Sequence, residues 1–291
     1  DGTWSVSATL TDPAGNVSPA SAALPLVVDT TAPSAPVAPD LVAASDTGSS
    51  STDDLTSDNT PAMSLPGATS GDTVTFTATS GATTKTCSYV AGSASSCDLP
   101  TLTDGTWSVT AKVTDPAGNQ STAGPALPLV IDTAATSAPG KVDLSASSDL
   151  GTSSTDDLTS DTTPTVSAPG GSNGDTMTIT ATKGAASESC SYVLPATSCD
   201  LPALTDGTWS VSAKLSDPAG NQSSAGTSLS MVVDGTAPSA PGLPDVAAAS
   251  DSGTSSTDNN TSDTTPTMSA TGGSNGDTMT FTATNGGTTK T

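Results

Sequence analysis

The strongest constraint on this chain of 291 residues is an internal repeat of about a hundred residues. The segment "DGTWSV" begins at residues 1, 104 and 206, and "DPAGN" begins at residues 12, 115 and 217. Both markers recur at a spacing of 103 and then 102 residues, so successive copies differ by a single residue in length. A fixed period with almost no insertion indicates that each copy is one structural unit, of a size that can enclose its own hydrophobic core.

The markers divide the chain into four segments. Complete repeats are predicted at residues 34–136 and 137–238, whereas residues 1–33 match the last third of a repeat and residues 239–291 match its first half. The two partial copies have two interpretations. The chain is a window from a longer array, or the partial copies of neighbouring chains complete one domain between them by strand exchange. Both interpretations predict an array of these domains, with neighbouring copies of the same repeat as partners in a homopolymeric filament.

Alternating apolar and polar residues predict β-strands rather than disorder or helices. A content of 33% hydrophobic and 2% aromatic residues is low for a folded chain. However, runs such as "TWSVTAKVTD" and "DTVTFTAT" alternate strictly between turn-forming residues, which is typical of half-buried strands. About seven short strands per repeat predict an all-β fold of tandem Ig-like β-sandwich domains arranged as beads on a string. The expected core residues are Trp107, Val109, Val113, Leu129 and Ile131 in one repeat, and Trp209, Val211, Leu229 and Val233 in the next.

The charge excludes several classes of function. The chain carries 29 acidic residues against 6 lysines and has no histidine, which leaves a net charge of −23. Such a chain offers no basic patch for nucleic acid and is repelled by anionic membrane surfaces, and no apolar run is long enough for insertion in a membrane. Without histidine, and with Glu188 as the one glutamate, a nucleophile–base pair cannot be assembled. We therefore expect neither an enzyme nor a site for a small-molecule substrate.

A polar, acidic stretch recurs in each repeat and is the first candidate site. "SDTGSSSTDDLTSDNTP" at 45–61 returns nearly unchanged at 148–164 and at 250–266, and a stretch so polar is not expected to help fill a core. Short carboxylates that converge would repel one another without a cation, and calcium accepts six to eight such oxygens. The sequence thus predicts a Ca²⁺ site that includes linker aspartates. The alternative is a solvated loop of side-chain-capped turns that protects an edge strand. The predicted ligands are Asp29, Asp46, Asp53, Asp54, Asp58, Asp132, Asp149, Asp156, Asp157, Asp161, Asp234, Asp251, Asp258 and Asp263.

The four cysteines fall into one close pair in each complete repeat. Cys87 precedes Cys97, and Cys190 precedes Cys199. An isolated pair without histidine makes a poor zinc site, so we predict the disulfides Cys87–Cys97 and Cys190–Cys199, with two free buried thiols as the alternative. Disulfides would indicate an oxidising, extracellular environment.

The segment "DPAGN" has the residues of a tight turn between two strands. Proline presets φ, glycine accepts a positive φ, and Asp or Asn side chains bond to the nearby backbone. An alternative is that Asp115 and Asn119, with their counterparts, also supply oxygens to a cation at the end of the domain.

Taken in order, these motifs resemble a known family. "DGTWSV", "DPAGN", "VDTTAPSAP" and the acidic stretch together are similar to the bacterial Ig-like tandem repeats of giant extracellular adhesins and biofilm surface proteins. This resemblance covers the whole chain and implies secretion to the bacterial cell surface and, in several relatives, calcium at domain junctions. We expect a structural repeat segment of a surface fibre, or alternatively a passive stalk that presents a distal binding domain.

Overall fold

The computed structural model describes all residues, 1–291, and contains 22 strands and no helix. It divides into two compact units, Asp1–Val233 and Asp234–Thr291. The first unit begins with a ribbon of two antiparallel strands, β1 (Gly2–Val6) and β2 (Leu24–Val28). This ribbon belongs to the incomplete first repeat and is followed by two complete repeats.

The first complete repeat is a sandwich of two sheets. The larger sheet has the strand order β4-β10-β9-β6-β7, and the smaller sheet has the order β3-β5-β8. Neighbouring strands are antiparallel except β4 and β10, which pair in parallel. The strands are β3 (Asp40–Leu41), β4 (Leu55–Thr56), β5 (Ala62–Ser64), β6 (Thr73–Ser80), β7 (Thr83–Val90), β8 (Ser96–Asp98), β9 (Gly105–Thr114) and β10 (Leu127–Ile131).

The second complete repeat has the same architecture. Its sheets have the orders β12-β18-β17-β14-β15 and β11-β13-β16, and β12 again runs parallel to β18. The strands are β11 (Asp143–Leu144), β12 (Leu158–Thr159), β13 (Thr165–Ser167), β14 (Thr176–Lys183), β15 (Ala186–Val193), β16 (Cys199–Asp200), β17 (Gly207–Ser216) and β18 (Leu229–Val233).

The second unit contains four short strands of the last, incomplete repeat. β19 (Asp245–Val246) pairs antiparallel with β20 (Met268–Ser269), and β21 (Ala283–Asn285) pairs antiparallel with β22 (Thr288–Lys290).

Each complete repeat has its own core, because alternate residues of the long strands face inward. In β9 the inward residues are buried and most of the outward residues are exposed. The indole N–H of Trp107 donates to the Thr103 carbonyl at 2.9 Å, so its one polar group is satisfied. All nine predicted core residues are buried, which confirms the predicted all-β, Ig-like fold: Trp107, Val109, Val113, Leu129, Ile131, Trp209, Val211, Leu229 and Val233.

Each disulfide joins the two sheets of a sandwich at their open edge. Cys87 lies in edge strand β7 of the larger sheet, and Cys97 lies in edge strand β8 of the smaller sheet. Cys190 and Cys199 are bonded in the same way, and no free cysteine remains. The predicted disulfides are therefore confirmed. Both bridges pack against the hydrophobic clusters, so they extend the cores toward this edge.

Each repeat has eight strands rather than about seven. The polar stretch itself contributes β4, whose Leu55 and Thr56 pair with Val130 and Ile131 of the last strand. Two residues are too few to show an alternating pattern, so pairing with a distant strand defines this element.

Candidate functional site

The acidic stretch of the first complete repeat connects β3 to β4 and is anchored at both ends. Ser45, Asp46 and Thr56 are buried, so the expectation that this stretch adds nothing to the interior is wrong for these residues. The Thr56 hydroxyl donates to the Ser45 carbonyl, and the Ser45 hydroxyl accepts from the Ala62 amide at 3.0 Å. The same two hydrogen bonds recur in the other two copies of the stretch, so they are a regular structural feature of the repeat.

Nine of the fourteen predicted ligands cap local turns. In the first complete repeat, Asp53 accepts the Leu55 amide at 3.3 Å and Asp58 accepts the Thr60 amide at 2.9 Å. A bond to the amide two residues later is the Asx-turn arrangement, which orders a polar loop without regular structure. The residues with this bond are Asp29, Asp53, Asp58, Asp132, Asp156, Asp161, Asp234, Asp258 and Asp263.

One aspartate in each copy differs from the others because its carboxylate is buried and incompletely bonded. Asp46 is 5% exposed, and its Oδ1 has no hydrogen-bond partner. Asp149 and Asp251 occupy the equivalent positions and carry the same unpartnered oxygen. A buried carboxylate oxygen without a donor is costly, so each of the three copies offers an acceptor that a hydrogen-bond donor or a cation would satisfy.

The negative charges of other carboxylates act on Asp46. Burial raises the pKa of Asp46, and the charges of Asp53 and Asp40 raise it further. Burial also raises the pKa of Asp54, with contributions from Asp46 and Asp40. Asp54 has a left-handed backbone (φ 58°), as do its counterparts Asp157 and Asn259. These carboxylates form a locally repulsive group that a cation would relieve.

Asp40 is the member of this group that sequence reasoning missed. It lies in β3, outside the polar stretch, and its negative charge acts on both Asp46 and Asp54. Its recurrence as Asp143 and Asp245, five residues before each copy of the stretch, was the available signal.

The three copies of the loop carry different charge. In the second complete repeat the Lys141 ammonium lies 3.9 Å from Asp157. In the last copy Asn259 replaces the aspartate, and its side-chain oxygen accepts the Val246 amide at 3.1 Å.

Nowhere in the chain do three or more Asp, Glu or Cys side chains converge in a group that would hold a metal ion.

The "DPAGN" segment forms the predicted turn, and its polar side chains are occupied within it. Asp115 Oδ1 accepts the amides of Ala117 and Asn119, each at 2.9 Å, and its Oδ2 accepts the Asn119 side-chain amide at 2.9 Å. The bond from the Asn119 side chain is the main cause that lowers the pKa of Asp115.

The asparagine of this turn also binds the linker before its own repeat. The Asn119 side-chain amide donates to the Asp29 carbonyl at 3.0 Å, and Asn221 donates to the Asp132 carbonyl at 2.7 Å. The asparagine therefore holds the linker as a hydrogen-bond donor.

The fold and these junctions define a tandem array of Ig-like β-sandwiches. A family model described as "Bacterial Ig-like domain" matches residues 32–133 and 136–235, more than half of the chain, so the chain belongs to this family. No curated protein matches the chain significantly. No helix in the structure is long and apolar enough to cross a membrane.

The chain is similar to several solved structures. The chain resembles the FN1-FN3 domains of chicken CNTN1 with 11% identity and a TM-score of 0.48, covering 79% of this chain and 75% of that one. It also resembles a structure described as "Ca2+-stabilized adhesin helps an Antarctic bacterium reach out and bind ice", with 23% identity, a TM-score of 0.37, and coverage of 85% and 60%. It also resembles the fibronectin(III)-like modules of Clostridium thermocellum CbhA, with 13% identity and a TM-score of 0.38. This match covers 62% of this chain and 88% of that one.

Proposed function

We propose that this chain is a structural spacer segment of a bacterial extracellular surface protein, whose function lies in the length and stiffness of the repeat array. The observation that carries the proposal is that the same three parts recur at successive repeats. They are an acidic loop, a linker, and a turn whose asparagine is hydrogen-bonded to the linker. Selection for a single binding site would require the site in one copy only, whereas selection for mechanics requires the same structural elements at every junction.

Within this class, the surface of the complete repeats favours a stalk over a laterally assembled fibre. The first complete repeat has two large exposed apolar residues and the second has three, and a few such residues are normal for a surface that stays in water. These residues are Val37, Val90, Leu150, Leu158 and Val193.

A divalent cation, calcium in the first place, is the proposed stabiliser of the acidic loops. Asp46 would supply its unpartnered buried Oδ1, with Asp54 and Asp40 as the nearby carboxylates. Because no three carboxylates converge, backbone carbonyl, hydroxyl and water oxygens would complete the shell, and calcium accepts such mixed sets in flexible geometry. When bound, the ion would neutralise the carboxylates that repel one another in its absence.

The test compares thermal unfolding of the complete chain with calcium and with excess chelator. We expect calcium to raise the unfolding midpoint, because an ion that binds only the folded state stabilises it by mass action. Asp46→Asn should remove the part of this rise that belongs to the first complete repeat. Asp98→Asn, an exposed aspartate of the same repeat, is the control and should leave the rise unchanged. Equal midpoints with calcium and with chelator would overturn the cation proposal while leaving the spacer role in place.

A further inference from the structure

A loop of the first complete repeat contacts a turn of the second directly. We define the docking loop as residues 46–49 and the docking turn as residues 217–221. The Thr47 hydroxyl donates to the Ala219 carbonyl at 2.9 Å, and the Ser49 amide donates to the Pro218 carbonyl at 3.2 Å. Both bonds join residues about 170 positions apart, so they belong to the interface between repeats.

Glycine on both sides makes this contact possible. A Cβ atom on Gly48 would lie 2.1 Å from the Pro218 carbonyl oxygen, and Gly48 has a φ of +111° that favours glycine. A Cβ atom on Gly220 would lie 3.0 Å from the Gly48 Cα. The two backbones therefore approach each other at a distance that no side chain tolerates.

Burial of Ala219 in the docking turn shows that the contact excludes water from this residue. Ala219 is 1% exposed, whereas Ala117, at the same place in the turn of the first complete repeat, is exposed. The two turns have the same sequence, "DPAGN", and the same internal bonds between their Asp and Asn side chains. The difference in exposure therefore comes from the docking loop that covers one of them.

We propose that the docking loop of one repeat and the docking turn of the next form a direct interface that fixes the angle of the junction without a cation. The residue after the buried aspartate sets the strength of this interface. It is Thr47 in the first complete repeat, Leu150 in the second and Ser252 in the last. Threonine and serine retain the hydroxyl that donates across the interface, and leucine removes it. A repeat whose loop carries threonine or serine at this position would therefore dock more tightly than one that carries leucine, a property beyond the proposed spacer role and independent of calcium.

The experiment measures amide hydrogen exchange at Ser49 in the complete chain with excess chelator, together with small-angle scattering. Ala219→Glu places a charged side chain in the buried contact and should undock the loop. We expect exchange at Ser49 to accelerate about tenfold and the scattering profile to show a broader range of interdomain distances. Ala117→Glu is the matched control, because it makes the same change in the same turn where no loop covers it. It should match the unmodified chain in both measurements.

Two further variants test the residue that follows the buried aspartate. Thr47→Leu, which copies the second repeat, should accelerate exchange at Ser49, and Thr47→Ser should retain protection. These variants lie outside the second repeat, so they remain informative even if Ala219→Glu unfolds that repeat. Trp209 fluorescence reports whether it does.

Three outcomes would overturn the inference. Equal exchange and scattering for Ala219→Glu and Ala117→Glu would show that the loop does not dock in solution. Protection of Ser49 only when calcium is present would show that the interface needs the ion, even if the thermal test of calcium succeeds. Equal protection in Thr47→Leu and in the unmodified chain would remove the role assigned to this residue.

Discussion

Among individual residues, the most informative are the buried aspartates Asp46, Asp149 and Asp251. Each lies in a loop with other aspartates, so a difference in their behaviour comes from position and not from side-chain chemistry. Asp46 and Asp53 are both short carboxylates in one loop, but Asp53 caps a turn and Asp46 has an oxygen without a partner. An unsatisfied buried charge destabilises a fold unless something compensates it. The free energy of unfolding of each repeat therefore depends on whether that carboxylate is neutralised, by a proton or by a cation.

Asp46→Asn is predicted to stabilise the first complete repeat when cations are absent. Burial raises the pKa of Asp46, so the folded state favours the protonated side chain. The stability that this protonation adds is fully present below the ordinary pKa, about 3.9. It is lost as the pH rises through the raised pKa. In chelator at pH 7 the substitution should therefore add about 1 kcal/mol to the free energy of unfolding. The unmodified chain should gain stability relative to the variant as the pH falls from 7 toward 4.

Chemical denaturation of both chains at a series of pH values, with Asp98→Asn as the control, measures this difference. Asp115 provides a contrast, because its pKa is lowered and its contribution disappears only as the pH falls through that lowered value. Parallel pH profiles for the Asp46→Asn chain and the unmodified chain would contradict the prediction.

At the level of strands, the long free edges of the larger sheets carry an inward-facing charge. β7 and β15 are edge strands, and Lys85 and Glu188 occupy the same position in them. Both side chains are half-buried and lie on the face that carries Tyr89 and Tyr192. An inward-facing charge on an edge prevents another strand from pairing there, because the pairing would trap the charge without water.

Replacing both charges with valine is predicted to make the chain self-associate through these edges. The double variant Lys85→Val, Glu188→Val should sediment as dimers and larger species at concentrations where the unmodified chain does not. Thr84→Val with Ser187→Val adds two valines to the exposed face of the same strands, so it controls for added hydrophobicity. If both double variants sediment alike, the inward charges do not protect the edges.

For the chain as a whole, the separate cores make each complete repeat an independent load-bearing element. One hydrophobic cluster draws all its buried residues from positions 41–131, and the other draws its buried residues from positions 142–233. Under tension, each disulfide prevents the short segment between its cysteines from extending. In the first complete repeat the bridged cysteines are 10 residues apart, and their Cα atoms lie 6.0 Å apart.

Reduction of the disulfides is predicted to lengthen each unfolding step in a single-molecule pulling experiment by about 3 nm. The estimate follows from the released residues, which each extend by about 3.5 Å. Cys87→Ala with Cys97→Ala should show the longer step for one repeat before any reductant is added. Steps of unchanged length after reduction would mean that these bridges do not form in the folded repeats.

Much of the architecture was readable from the sequence because its signals are local. The alternating strands, the nine core residues and both disulfides follow from residues that lie close together in the chain, and the period follows from the recurrence of short motifs. Alternation predicts which side of a strand is buried wherever a sheet forms, so Trp107 and Ile131 could be assigned without knowledge of their partners.

The roles of the loop residues depend on contacts that local patterns do not encode. Nothing in the sequence distinguishes Asp46, which is buried, from Asp53, and the recurrence of Asp40 in each repeat does not show that its charge acts on Asp46 and Asp54. The pairing of β4 with β10 and the docking of Thr47 on Ala219 join segments that are far apart in the chain. Burial and close approach are properties of the position that a residue reaches after folding, and for these residues the three-dimensional arrangement of distant segments sets that position.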